Sequence, residues 1–161
     1  MSILSKVVLV IFNCFFLLST FTIERRYCHF ALTEDDPTLL AKQTYEFSVE
    51  NNPLFLERPE WLRVATCFHS YAFPPYYVAV LLTTLFDAWH VKVLQYFLLA
   101  FVGAKFYALA FYHYMEFTSH VPPPNVVAYF SAEGSYIIAL AMVLTNIWRA
   151  SSSKSSKQKQ R

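Results

Sequence analysis

Apolar positions in this chain gather into four long runs, 6–23, 64–86, 93–115 and 126–148, each with few charges. A spanning helix needs about 20 apolar residues, so the last three runs suffice and the first is just long enough. Many of their residues are β-branched or aromatic and would suit strands in water. In lipid each backbone amide must be satisfied within the structure, which turns unbroken runs of this length into helices. The expected fold is an all-α membrane protein: a four-transmembrane-helix bundle over residues 1–149, with a partly helical luminal loop between helices one and two. A polar tail follows over 150–161, too Ser- and Lys-rich to bury anything, and is expected to be disordered.

The first run has a second reading, because a short basic start at Lys6 followed by an apolar core also describes a cleaved signal peptide. The sequence Thr22-Ile23-Glu24-Arg25-Arg26 stands where a small-x-small cleavage site would be needed, which favours a retained helix. The connection 24–63 has 40 residues, too many for an idle linker. Apolar and polar residues alternate from Pro37 to Val49 well enough for a short helix. The stretch from Asn51 to Trp61 then turns the chain back. Pro53 and Pro59 break helix there, and Trp61 suits a membrane interface. A lid over the luminal mouth of the bundle is expected.

Charge sets the orientation. With four spans, one side carries seven Lys/Arg (Lys6, Lys92, Arg149, Lys154, Lys157, Lys159, Arg161) against Asp87 alone. The other carries five Lys/Arg (Arg25, Arg26, Lys42, Arg58, Arg63) and nine acids. The first side, with both termini, is therefore expected to be cytosolic, although Arg25 and Arg26 locally oppose that assignment. Lys157 and Lys159 lie three and five places from the carboxyl end, a spacing similar to the dilysine retrieval signal of endoplasmic reticulum membrane proteins. An ordinary basic flank is the other reading of the same residues.

Composition narrows the function. The chain of 161 residues is 56% hydrophobic, 19% aromatic and 15% charged, far from the balance of a soluble domain. A net charge of +2 with no basic stripe excludes a nucleic-acid partner. Cys14, Cys28 and Cys67 are widely separated, two of them in apolar runs, so neither a disulfide framework nor a metal site is expected. With two glycines, the chain has no Gly-rich nucleotide loop, and no cofactor is expected.

Ionisable residues inside a span cost at least about 2.5–3.5 kcal/mol and usually mark function. They are His69, Lys105, His113 and Glu133, with Glu24 at the end of the first run. At roughly 1.5 Å per residue, His69 lies about 9 Å below the luminal end of its helix, Glu133 about 10 Å and Lys105 about 15 Å. A lysine stem spans the difference, so the three are expected to meet at one level around a shared hollow. They form either a polar spot in a ligand cavity or a structural Lys105–Glu133 pair pinning helices three and four. His113, one turn from the interface, is expected to snorkel. Pro74 and Pro75 should kink helix two and free carbonyls. Gly103 and Gly134 suggest close backbone approach.

Tyr45-Glu46-Phe47, Asn52-Pro53-Leu54-Phe55, Glu57-Arg58-Pro59-Glu60-Trp61 and the proline-bearing second helix resemble the EXPERA family, and within it the sigma-2 receptor branch. The resemblance implies a four-helix endoplasmic reticulum protein with an occluded cavity open to the bilayer, binding sterols or other lipophilic molecules. By position, family acids fall on Asn52, on His69 and approximately on Glu24, while helix-four tyrosines fall near Glu133 and Tyr136. Sterol isomerases of the family place His and Glu four apart on helix two. Here the pair is His69 and Phe73, and phenylalanine carries no proton. A non-catalytic lipid handler is therefore the leading expectation. An adaptor or quality-control factor with a membrane-protein partner comes second, and an isomerase third. The resemblance also allows a homodimer.

Overall fold

The computed structural model describes residues 2–158; Lys159 lies outside them, as does the side chain of Lys157. All regular structure among the described residues is helical. Helix α1 (Ile3–Ser19) continues through a π-helical turn (Thr20–Glu24) into α2 (Arg25–His29), making one continuous apolar helix of 27 residues. Ser2 starts it, its Oγ accepting from the Ser5 amide at 3.2 Å. Buried positions Leu9, Asn13, Phe16, Thr20, Ile23 and Tyr27 follow steps of four and three, the spacing of one helix face. Asn13 is tolerated there because its Nδ2 donates to the Leu9 carbonyl at 2.8 Å.

Two short helices, α3 (Leu39–Asn51) and α4 (Pro53–Glu57), fill the next connection. Pro53 takes the first turn of α4, where no N–H is needed. The second apolar run is divided into α5 (Glu60–Ala72) and α6 (Pro74–Leu85), meeting at Phe73. Pro74 and Pro75 open α6 and, lacking N–H groups, leave the Ser70 and Tyr71 carbonyls without their helical donors. Alone, α6 rises only about 18 Å, short of a hydrocarbon core about 30 Å thick. A 3₁₀ turn (Ala88–His90) leads to α7 (Lys92–Thr118), and α8 (Val126–Gln158) completes the chain. The tail expected to be disordered from 150 continues α8 through Gln158.

Among the described residues, three helices are long and apolar enough to cross a membrane: Ile3–His29, Lys92–Thr118 and Val126–Ser152. Their outer faces expose Val7, Ile11, Phe15, Tyr107, Phe111 and Leu144, a pattern suited to lipid contact. The main packing is of α1 on α6, α2 on α5, and α7 on α8. Lys6 pairs with Asp87 at 3.6 Å, and Ser151 donates to Gln95 at 3.5 Å. These contacts gather the start of α1, the α6–α7 connection and the end of α8 at one end of the molecule.

The opposite end is tied covalently. Cys28 of α2 and Cys67 of α5 form a disulfide, with Cα atoms 5.1 Å apart. This corrects the expectation that the cysteines stay unpaired. Thirty-nine positions separate them in sequence, and only the packing of α2 on α5 brings them together. Arg58, left-handed at φ 52°, ends α4 and turns its guanidinium back onto the end of α2. Its Nε and Nη2 donate to the Tyr27 carbonyl at 2.9 and 2.7 Å, and Nη2 also to that of Cys28 at 2.9 Å. Terminal carbonyls with no helical donor are thereby satisfied by a cation. The Tyr27 hydroxyl donates to the Phe55 carbonyl at 2.8 Å, with the two rings stacked 4.3 Å apart.

Two other expectations change. A Cβ added at Gly103 or Gly134 would meet nothing within 4 Å, so neither glycine marks a close helix crossing. His113 does not snorkel: its Nδ1 lies 2.9 Å from the Tyr129 hydroxyl of α8. Trp61 is half-buried, its ring edge-on to Phe111 of α7 at 5.9 Å.

Candidate intramembrane site

Four helical segments bring polar side chains to one buried place. Glu24 closes the π-helical turn, a feature that often accompanies functional positions. His69 comes from the last turn of α5, Tyr77 from the first turn of α6, and Lys105 from the middle of α7. The Glu24 carboxylate lies 2.7 Å from His69 Nδ1. On the other side of the ring, His69 Nε2 contacts the Lys105 ammonium, with the Tyr77 hydroxyl 3.2 Å away. Lys105 also donates to the Tyr77 hydroxyl at 3.1 Å. Imidazole with its proton on Nδ1 satisfies this chain: it donates to Glu24 and accepts from Lys105.

Aromatic rings enclose the cation. Lys105 Nζ stands 4.2 Å from the centre of the Tyr136 ring, 5.1 Å from Phe73 and 5.7 Å from Tyr77. The electron-rich faces of these rings attract a charge that is only 4% exposed. Phe73 stacks on His69 at 4.5 Å, so the position one turn after the histidine supplies packing and no proton-transfer group. Phe16 of α1 stacks on Tyr136 at 4.2 Å and closes the wall.

His69 and Lys105 therefore meet, as their depths implied, but the carboxylate that completes the chain is Glu24. Glu133 is half-buried and near enough to act electrostatically on Lys105, as Glu24 does, without lying within ion-pair distance of it. The Lys105–Glu133 clamp between helices three and four is not formed. The space among Asn13, Phe16, Tyr76, Tyr77, Lys105 and Tyr136 is a cavity of about 10 Å³, barely one water's worth. The expected hollow is closed.

A second buried polar group lies nearby. Asn52 donates from Nδ2 to the Tyr112 hydroxyl at 3.0 Å. Both side chains lie beside Glu116, which is fully buried and whose carboxylate oxygens remain incompletely satisfied. Glu116, at the end of an apolar run, reads in sequence as a surface acid. Tyr77 and Phe16 look like ordinary packing residues until Lys105 is placed beside them.

No family model, curated protein or solved structure matches the chain.

Proposed function

We propose that this protein is a non-catalytic, multi-pass membrane protein that binds a sterol or similar lipophilic molecule at the Glu24–His69–Lys105 chain and regulates its distribution in the bilayer. One observation carries this reading: a charged chain drawn from three separated segments is buried among Phe16, Phe73, Tyr77 and Tyr136. Ionisable groups at such depth are costly and are usually kept for function. Amphipathic ligands with one polar end match a wall of rings around one polar spot. A ligand site holds roughly 300 Å³ or more, so binding requires the Phe16–Tyr136 stack to part and Lys105 to take the ligand's oxygen in place of one of its present partners. The resemblance to the EXPERA family supports the same ligand class.

In this reading α5 and α6 together form a fourth, broken span. The Cys28–Cys67 end faces an oxidising lumen, in keeping with where disulfides persist, and both termini face the cytosol of an endoplasmic reticulum membrane. Photoreactive sterol added to the purified protein should label peptides of α1, α7 or α8 beside Phe16, Lys105 or Tyr136. Lys105→Met should reduce that labelling. Equal labelling of wild type and Lys105→Met, or labelling confined to outer faces, would overturn the proposal.

A further inference from the structure

Lys105 differs from the other lysines whose side chains are described. Lys42 and Lys92 are exposed, and Lys6 pairs with Asp87. Lys105 stands at the middle of a helix long enough to span a membrane, and no carboxylate among the described residues lies within ion-pair distance of it. Its nitrogen contacts His69 Nε2 and the Tyr77 hydroxyl, both uncharged. The carboxylate comes one imidazole further on, with Glu24 2.7 Å from His69 Nδ1. A structural ion pair places cation and anion in contact, because their attraction must offset the cost of burying both. With an imidazole between them, the two ends form a proton relay instead. The ammonium can give a proton to Nε2 while Nδ1 passes its own to Glu24, which leaves a neutral amine, a neutral ring and a neutral carboxyl.

That amine is a nucleophile walled by Phe16, Phe73, Tyr77 and Tyr136. Lysines desolvated in apolar pockets form Schiff bases with carbonyl compounds, and the walls exclude the water that would hydrolyse the imine. We propose that Lys105 forms a Schiff base with a conjugated lipophilic aldehyde, its carbonyl end at the relay and its flat hydrocarbon body between the rings. Nζ attacks the carbonyl carbon, and the aldehyde oxygen takes both amine hydrogens and leaves as water. The proton held on Glu24 returns through His69 to the imine nitrogen. The adduct is then a cation in the place of the ammonium, and Glu24 is again a carboxylate, its counter-ion across the imidazole. Glu133 adds a second negative charge near enough to act on Lys105 without touching it. The inference rests on the opening of the Phe16–Tyr136 stack that the sterol reading also requires, since the cavity beside Lys105 holds about 10 Å³.

The test incubates the purified full chain with equimolar all-trans-retinal in mild detergent, traps imines with cyanoborohydride and maps the peptides by mass spectrometry. Wild type should carry one retinyl group, on Lys105. Without the trapping agent, the retinal absorption band should move to the red, as a protonated imine requires. Lys105→Arg, which keeps the charge, should lose both signals. Glu24→Gln should form the adduct about 100-fold more slowly, the lower end of what a positioned proton acceptor contributes. No adduct in wild type, or adducts on other lysines with none on Lys105, overturns the proposal whatever the variants do. So does an unchanged rate in folded Glu24→Gln, with formation of the Cys28–Cys67 bridge as the check on folding. The two readings of the site fail separately. Photoreactive sterol that labels a chain forming no adduct removes the aldehyde and leaves the sterol, whereas a Lys105 adduct in a chain that no sterol labels supports the aldehyde alone.

Discussion

Glu24 and His69, 45 positions apart in sequence, meet at 2.7 Å and join the π-helical turn to the last turn of α5. The imidazole stands between opposite charges that do not touch, so its removal leaves two buried ions short of a partner. Breaking a buried ionic arrangement on one side costs about 3–5 kcal/mol, whereas replacing all of it by uncharged groups is often neutral. His69→Ala should therefore lower the unfolding temperature in detergent strongly, and the Glu24→Gln, His69→Phe, Lys105→Met combination should recover most of the loss. Glu133→Gln, which removes no direct contact with Lys105, should cost much less than Glu24→Gln. A His69→Ala protein as stable as wild type would show that the chain holds nothing together.

Arg58 serves the fold rather than the buried chain. Its fork ties α4 to the end of α2 through three bonds to carbonyls, and bonds to charged groups contribute about 1.5–3 kcal/mol each when they cannot be replaced. Arg58→Ala should destabilise the protein by roughly 3 kcal/mol, since water can recover part of the loss. Arg58→Lys should not rescue it, because an ammonium lacks the planar fork. Hydrogen exchange is the direct reading: amides over residues 25–32 should exchange faster in both variants while those of α7 stay protected.

Thiol counting checks the covalent tie. The unreduced, denatured chain should take one maleimide, at exposed Cys14, and the reduced chain three. Loss of a disulfide closing a loop of this size typically costs about 2–4 kcal/mol, and Cys67→Ser should fall in that range. Labelling at three positions before reduction would remove the bridge, and with it the support it gives to an oxidising side.

The buried chain was half legible in the sequence. Lys105 and His69 stand out because a charge within an apolar run has nowhere to go but inward. Depth along a helix can be counted, but the direction a side chain faces across the bundle cannot. Glu133 therefore looks equivalent to Glu24 until α8 is packed, although only Glu24 reaches the histidine. Pro74 and Pro75 announce the break in the second run by chemistry alone, since neither supplies an N–H. Cys28 and Cys67 give no such signal, because their pairing depends on α2 lying against α5. Asn52 and Arg58 are visible as parts of a turn, but the Glu116 carboxylate that Asn52 faces and the helix end that Arg58 covers are tertiary facts.

Asp36 gives the fold a pH dependence of known sign. Its side chain is buried beside Arg26, where it accepts from the Thr38 amide at 3.1 Å and from the Thr38 hydroxyl at 3.0 Å. Burial works to raise its pKa, but the Thr38 donors and the Arg26 guanidinium outweigh burial and hold the carboxyl below its ordinary value of 3.8. The folded state thus binds this proton less readily than the unfolded chain, so the carboxylate stabilises the fold fully above the ordinary value. That contribution declines as pH falls through the folded-state pKa and disappears below it. The stability difference between wild type and Asp36→Asn should be constant from neutral pH down to about pH 5, where Asp is ionised in both states, and should shrink on further acidification. Proteolysis of the 30–38 connection should follow the same course. A difference that widened as pH fell from 5 would mean that Asp36 is not held as an anion by Arg26 and Thr38.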